Sequence, residues 1–266
     1  PAATQLFTPR WIVEYMVQNT VGKLWLQNRP KSRLREHMPY FIESPSLSPS
    51  GEKSEGQRGD DYLKIASPEE IRLLDPASGS GHILVYGFDL LTKIYEEEGY
   101  PSSEIPKLII EKNLHGFEID ERAAQLSGFA LMMKAVESQR RSLRKNIIPN
   151  ILCFKDLRLA DDEIKNAISE LQLTVTEELI SDLKTMQQAT NFGSLITPKA
   201  QMSELQAVME QLENLKQKNN LFHKAIIDEL STAVGQLIKL SPKFQCVAAN
   251  PPYMGGGNMN KELSEF

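Results

Sequence analysis

The chain has 266 residues, 41% of them hydrophobic, which is enough apolar material for one large domain or two modest ones. The 30 Lys and Arg stand against 35 Asp and Glu, a net charge of -5, and this excludes a globally basic polyanion binder. Two cysteines, Cys153 and Cys246, lie in short apolar runs and read as buried thiols of a reducing compartment, not as a disulfide framework. No apolar stretch approaches a membrane span and no signal peptide opens the chain, so a cytoplasmic protein is expected. The start at Pro1 and the stop at Phe266 in mid-sequence read as a piece of a longer protein.

In chain order, "TPRWIVEYMVQNTVGKLWLQ" places Ile12, Tyr15, Met16, Asn19, Val21 and Leu24 at helical spacing. Thr8-Pro9 reads as its start, with Thr8 as cap and Pro9 in the first turn. Glu43 to Asp61 is polar and rich in Ser, Pro and Gly, which predicts an exposed loop. "EEIRLLDPASGSGHILVYGFDLLTKIYEEEG" then predicts a strand, a glycine turn and a helix. "LHGFEIDERAAQLSGFALMMKAV" repeats the plan, with a strand over Leu114 to Ile119 and a helix from about Glu121. "NILCFKDL" and "FQCVAANPPY" are third and fourth short apolar runs. Strands alternating with helices argue for an α/β fold with a parallel sheet.

Ala160 to Leu240 breaks this alternation. Met202, Leu205, Val208, Met209, Leu212 and Leu215 fall on one helical face, and Phe222, Ile226, Ile227, Leu230, Val234 and Leu237 on another. "TNFGSLITP" interrupts the pattern. A long helical insertion is expected, either an arm packed on the core or a contact surface for a partner or DNA. The expected division is an N-terminal helical region over 1–40, a polar loop over 41–66, and the first part of a core over 67–159. The insertion follows over 160–240, and a last core strand over 241–266.

Chemistry is carried at the strand ends. "LLDPASGSG" places Asp75 at the end of an apolar strand, with Gly79 and Gly81 opening a helix, so that a ligand can approach the backbone closely. It lacks the Gly-Lys-Ser/Thr ending of a P-loop and is not Gly-x-Gly-x-x-Gly. "GFEID" ends the next strand on Glu118, which suits the two hydroxyls of a ribose or simply the N-terminus of a helix. "FKDL" puts Asp156 after the third strand, where a surface turn and ligand binding are about even. In "FQCVAANPPYMGGG" the prolines Pro251 and Pro252 forbid helix, and Pro251 extends Asn250. An amide and the Tyr253 ring are thereby held on a stiff piece, either a plain proline turn or a clamp for a flat, polar ligand. The four histidines and two cysteines show no metal-ligand spacing, and no metal is expected.

"DPASGSG", "GFEID", "FKDL" and "NPPY", in this order, resemble the amino-group methyltransferases that use S-adenosylmethionine, which have a Rossmann-like fold. "LFTPRWIVEYMV", ahead of the glycine motif, resembles the upstream motif of gamma-type N6-adenine DNA methyltransferases. Within these, "LFTPRWIVEYMVQNTVGKLW", "DPASGSGHIL" and "NFGSLI" most resemble the PglX-type enzymes of BREX phage-defence systems. Ser78 replaces the Cys of the common Asp-Pro-Ala-Cys-Gly-Ser-Gly form.

The resemblance implies methyl transfer from S-adenosylmethionine to the N6 amine of adenine in double-stranded DNA. Recognition would come from a domain absent here, as are the later strands of the sheet, and other defence-system proteins are implied as partners. It implies that the Asn250 side-chain oxygen and the Pro251 carbonyl accept the amine protons, that Pro252 stiffens the clamp, and that Tyr253 stacks on a flipped base. Thr8 and Pro9 would lie near the methionine part of the cofactor. Asp75, Ala77, Gly79 and Gly81 would line the methionine and ribose. Glu118 would take the ribose hydroxyls, Ile119 the adenine face and Asp156 the adenine amine. Since the same clamp serves any planar amide or amine, protein-glutamine or RNA methylation is the alternative, as is a non-catalytic cofactor-binding subunit.

Overall fold

The computed structural model describes residues 8–43, 62–144, 146–217 and 223–251. Most of the expected polar loop, Phe222, Pro252, Tyr253 and the glycines after them lie outside the described residues.

The first helix, α1 (Arg10–Val17), turns Val13 and Val17 inward. It runs without a break through a widened, π-type turn, Gln18–Gly22, into α2 (Lys23–Asn28). Fully buried Gln18 explains the irregularity. Its Nε2 donates to the Tyr86 hydroxyl at 2.6 Å and its Oε1 accepts from the Tyr40 backbone N–H at 2.7 Å. A buried amide with both ends satisfied ties the helix to its neighbours. Pro9, not Thr8, occupies the N-cap position, and no side chain caps the helix. The physical reason is in the backbone: Pro9 has φ -53° and ψ 141°, outside the helix, so Arg10 is the first helical residue and Thr8 lies one position too early to cap it.

The strand β1 (Leu73–Asp75) is buried throughout. Helix α3 (His82–Glu97) follows it and buries Ile83, Leu84, Phe88, Leu91, Ile94 and Tyr95 at the spacing of one helix face. The extra helical stretch expected near Ser102 to Lys112 is the short α4 (Ile105–Leu108) and a second π-type turn, Ile109–Asn113. Asn113, buried, donates to the carbonyls of Pro68 at 2.8 Å and Ile71 at 2.6 Å, and accepts from the Tyr95 hydroxyl at 2.9 Å. This network fixes the start of β2 (Leu114–Glu118) beside β1. Helix α5 (Glu121–Ser138) is capped by Asp120, whose Oδ1 accepts from the Ala123 N–H at 2.9 Å. β3 (Asn150–Cys153) and β4 (Cys246–Val247) complete a sheet of order β3-β2-β1-β4. β1 pairs in parallel with β2, Asp75 opposite Gly116, and with β4, Leu74 opposite Val247. A parallel α/β sheet is therefore what the chain builds.

The chain divides into two compact units at Ile151/Leu152 and Lys243/Phe244, which lies outside the expected insertion limits of 160 and 240 at both ends. The first unit carries the helices and strands above, except the end of β3. The second unit is helical, with α6 (Asp161–Glu170), α7 (Glu177–Thr185), α8 (Ala189–Phe192), α9 (Met202–Gln217) and α10 (Lys224–Leu240). α9 and α10 pack together through Leu205, Val208 and Leu212 on one helix and Ile227, Leu230, Val234 and Leu237 on the other. Segment 152–159 joins this unit because buried Gln236 behaves as a stray strand. It accepts from the Lys155 N–H at 2.8 Å and donates to the Lys155 carbonyl at 2.9 Å. Cys246 is buried, whereas Cys153 is only half-buried, and neither is in a disulfide. Among the described residues no helix is long and apolar enough to cross a membrane.

Candidate active site

β1 ends on Asp75, whose side chain is 1% exposed. The chain then folds back on itself. The Ala77 N–H donates to Asp75 Oδ1 at 3.2 Å, the Ser78 N–H to the Phe117 carbonyl of β2 at 2.9 Å, and the Gly81 N–H to the Ser78 carbonyl at 2.7 Å. Gly79 and Gly81 take φ values of 50° and 84°, left-handed backbone that L side chains resist. The two positions differ in their surroundings. A Cβ at Gly79 would meet nothing within 4 Å, so the turn is open there, whereas one at Gly81 would lie 2.5 Å from Ser127 Oγ on α5.

Glu118, the last residue of β2, holds the turn from below. Its Oε2 accepts from the Gly79 N–H at 2.7 Å, and its Oε1 from the N–H groups of Ile119 at 2.8 Å and Asp120 at 3.0 Å. A carboxylate offers about four acceptor sites, so one remains for a further donor. Ile119, next along, is 55% exposed and presents an apolar face beside this carboxylate.

The Ser78 and Ser127 hydroxyls are buried and have no hydrogen-bond partner among the described residues. An orphaned hydroxyl costs about 1–3 kcal/mol. The thiol found at the position of Ser78 in the common motif would suffer less, since it is a weak donor that behaves as a small hydrophobe. Ser127 was not singled out in the sequence. Its signal was faint, a small residue in an apolar helical run, and its importance comes only from facing Gly81.

Burial pushes the Asp75 carboxyl from 3.8 up to about 7, with the Ala77 N–H opposing the shift and the nearby Glu118 carboxylate adding to it. A folded-state value above the unfolded one means that protonated Asp75 favours the fold. That stability is fully present below pH 3.8 and is lost as pH rises through 7. The full span is worth on the order of 4 kcal/mol. Asp75→Asn, which keeps the acceptor for Ala77, is expected to remove this loss. Urea denaturation of both proteins should show the mutant's advantage growing from pH 4 to pH 7 and levelling above it. A pH-independent difference would mean that Asp75 titrates normally.

β4 aligns beside β1 through the Cys246 N–H donating to the Arg72 carbonyl and the Ala248 N–H to the Leu74 carbonyl, both at 3.0 Å. Two residues on, half-buried Asn250 leaves the sheet, followed by exposed Pro251. Asn250 Nδ2 donates to Thr8 Oγ1 at 2.8 Å, a contact across 242 residues of sequence. The first unit thus carries Thr8, Pro9, Asp75, Ala77, Gly79, Gly81, Glu118, Ile119, Asn250 and Pro251. Asp156 belongs to the second unit. There it accepts from the Thr190 N–H at 2.8 Å and from the Thr190 hydroxyl at 2.8 Å, which serves the local structure of α8. Pro252 and Tyr253 lie outside the described residues.

A parallel sheet with a glycine turn after β1, a carboxylate closing β2 and an Asn-Pro step after β4 is the layout of a methyltransferase core. The chain belongs to the Eco57I restriction-modification methylase family, whose model matches residues 112–266. It is 38% identical over its whole length to the adenine-specific methyltransferase BrxX of Escherichia coli O9:H4 (strain HS), covering 24% of that protein. It is 34% identical, again over its whole length, to the adenine-specific methyltransferase PglX of Lacticaseibacillus casei (strain Zhang), covering 22% of it. The chain therefore spans about a quarter of the length of these curated relatives.

Proposed function

We infer that these residues form the cofactor and amine-binding core of an enzyme that methylates the N6 amine of adenine in double-stranded DNA with S-adenosylmethionine. Marking of the host's own DNA in BREX-type phage defence is the setting that the relatives and the sequence motifs favour. The observation that carries this reading is the hydrogen bond between Asn250 and Thr8, which joins the upstream motif to the amine clamp in the unit that also holds Asp75, the glycine turn and Glu118. Open space at Gly79, a carboxylate with a spare acceptor site and an exposed Ile119 fit a ligand made of an amino acid, a ribose and an adenine.

When bound, S-adenosylmethionine supplies an activated methyl group. The protein's part is binding and orientation. Thr8 and Pro9 would lie near the methionine part, Asp75, Ala77, Gly79 and Gly81 would line the methionine and ribose, Glu118 would take the ribose hydroxyls and Ile119 the adenine face. An exocyclic adenine amine is a weak nucleophile because its lone pair is conjugated with the ring. The Asn250 Oδ1 and the Pro251 carbonyl would accept its two protons and localise that pair, with Pro252 holding the geometry and Tyr253 stacking on the flipped base. With a net charge of -5 here, phosphate contacts and base readout would come from other parts of the full-length protein, and partner proteins of a defence system would act alongside it.

Glu118→Ala in the full-length protein is expected to weaken cofactor affinity by about 1.5–3 kcal/mol, the worth of hydrogen bonds to a charged group. It should also lower the melting temperature, because the Gly79, Ile119 and Asp120 N–H groups lose their acceptor. Calorimetry with S-adenosylhomocysteine reads the first and thermal melting the second. A lower melting temperature with unchanged affinity would reduce Glu118 to a support of the turn.

The function itself is tested by mapping N6-methyladenine in bacteria carrying the full-length gene or its Asn250→Ala variant. Methylation at one short DNA motif, absent in the variant, is the expected result. Methyl groups on protein glutamine or RNA in place of DNA would replace this reading.

A further inference from the structure

We propose that Thr8 is a positioning residue for the amine clamp, its hydroxyl anchoring the Asn250 side-chain amide in the orientation that the structure holds, with Nδ2 toward Thr8. This rests on the methyl-transfer reading above. Backbone next to both partners is tied down by hydrogen bonds. Thr8 leads directly into α1 through Pro9, whose carbonyl accepts from the N–H groups of Ile12 at 3.0 Å and Val13 at 3.2 Å, and buried Val13 and Val17 anchor that helix. Asn250 follows Ala248, which is bonded to β1, and precedes Pro251, which restricts its backbone.

The soft coordinate left is the terminal rotation of the Asn250 amide, a broad, roughly two-fold torsion. Its two orientations are chemically opposite. One presents an acceptor to an incoming amine, and the other presents an NH₂ group, which would meet the amine donor to donor. Thr8 Oγ1 accepts from Nδ2 at 2.8 Å, and this pairing turns Oδ1 away from Thr8. Among the described residues Oδ1 accepts no hydrogen bond of its own, so it is available to a ligand. The hydroxyl is spent on orientation and not on capping α1, where Pro9 takes the N-cap position without a side-chain bond. A residue whose obvious local role is left unused, while its hydroxyl reaches across the chain to the clamp, is placed by that reach.

The test compares Thr8→Val, which keeps the shape and removes the hydroxyl, with Thr8→Ser, which keeps the hydroxyl, both in the full-length protein. Single-turnover methylation of DNA by Thr8→Val should fall about tenfold, the effect of losing one hydrogen bond. Its affinity for S-adenosylhomocysteine should stay within about twofold, and Thr8→Ser should recover most of the rate. Equal rates in wild type and Thr8→Val would overturn the proposal. So would a rate loss matched by an equal loss of cofactor affinity, which would make Thr8 a cofactor contact, or a Thr8→Ser variant as slow as Thr8→Val. Structures of the same two variants give a readout independent of activity. The Asn250 amide should turn in Thr8→Val and keep its orientation in Thr8→Ser, and an unturned amide in Thr8→Val would sink the idea. Wild-type protein that methylates no adenine would defeat the functional reading alone, leaving the amide orientation to decide the role of Thr8.

Discussion

Asn250→Ala in the full-length protein is expected to lose methyl transfer by about a hundred- to a thousandfold, the usual cost of removing one preorganised transition-state contact. Cofactor affinity should change little, because in the proposed role the Asn250 side chain serves the amine, and its hydrogen bond among the described residues goes to Thr8. The argument depends on timing. The amine nitrogen becomes more positive as it attacks the methyl group, so an acceptor held ready in place gains strength in the transition state and not in the ground state. A loss confined to kcat with a retained affinity for S-adenosylhomocysteine would fit. Near-normal turnover would remove Asn250 from the chemistry, and a collapse of both quantities would make it a structural residue at the end of β4.

Gly81→Val is expected to destabilise the protein by about 2–5 kcal/mol, a large share of the roughly 5–15 kcal/mol that holds a domain together. Two costs add. At a φ of 84° a side chain costs about 1–2 kcal/mol, more when β-branched. The new Cβ would also sit 2.5 Å from Ser127 Oγ and 3.2 Å from Ser127 Cα, and overpacking of this kind costs about 1–3 kcal/mol. The serine can turn away, but its backbone cannot, because Ser127 and Leu131 on α5 are fully buried. Gly79→Ala is the control. Its φ of 50° carries a conformational cost, yet its Cβ would enter open space. It should melt within a few degrees of wild type and, if the turn cradles the cofactor, lose affinity for S-adenosylhomocysteine by calorimetry. A Gly81→Val protein as stable as wild type would mean that α5 and the turn can move apart.

The sheet was legible from the sequence because each strand is a short apolar run closed by a turn signal. "LLD" and "LHGFE" are β1 and β2, with Asp75 and Glu118 as their last residues. The helical face of Leu205, Val208 and Leu212 was likewise visible from its spacing. Other features were not local. Reading Thr8 as a helix cap was the natural inference from Thr-Pro, and the structure assigns that place to Pro9. Gln18 and Asn113 look like ordinary polar residues until their buried partners from distant segments are known.

The sequence by itself determined where chain direction changes and which chemical groups stand at those points, since periodicity and proline or glycine chemistry act over a few residues. Only the tertiary structure decided which of those groups meet. It alone set Thr8 against Asn250, tied Glu118 to Gly79, pressed Ser127 against Gly81 and engaged Asp156 with Thr190. The physical reason is that side-chain hydrogen bonds and close packing depend on distances between segments up to 242 residues apart, and no local pattern encodes those distances.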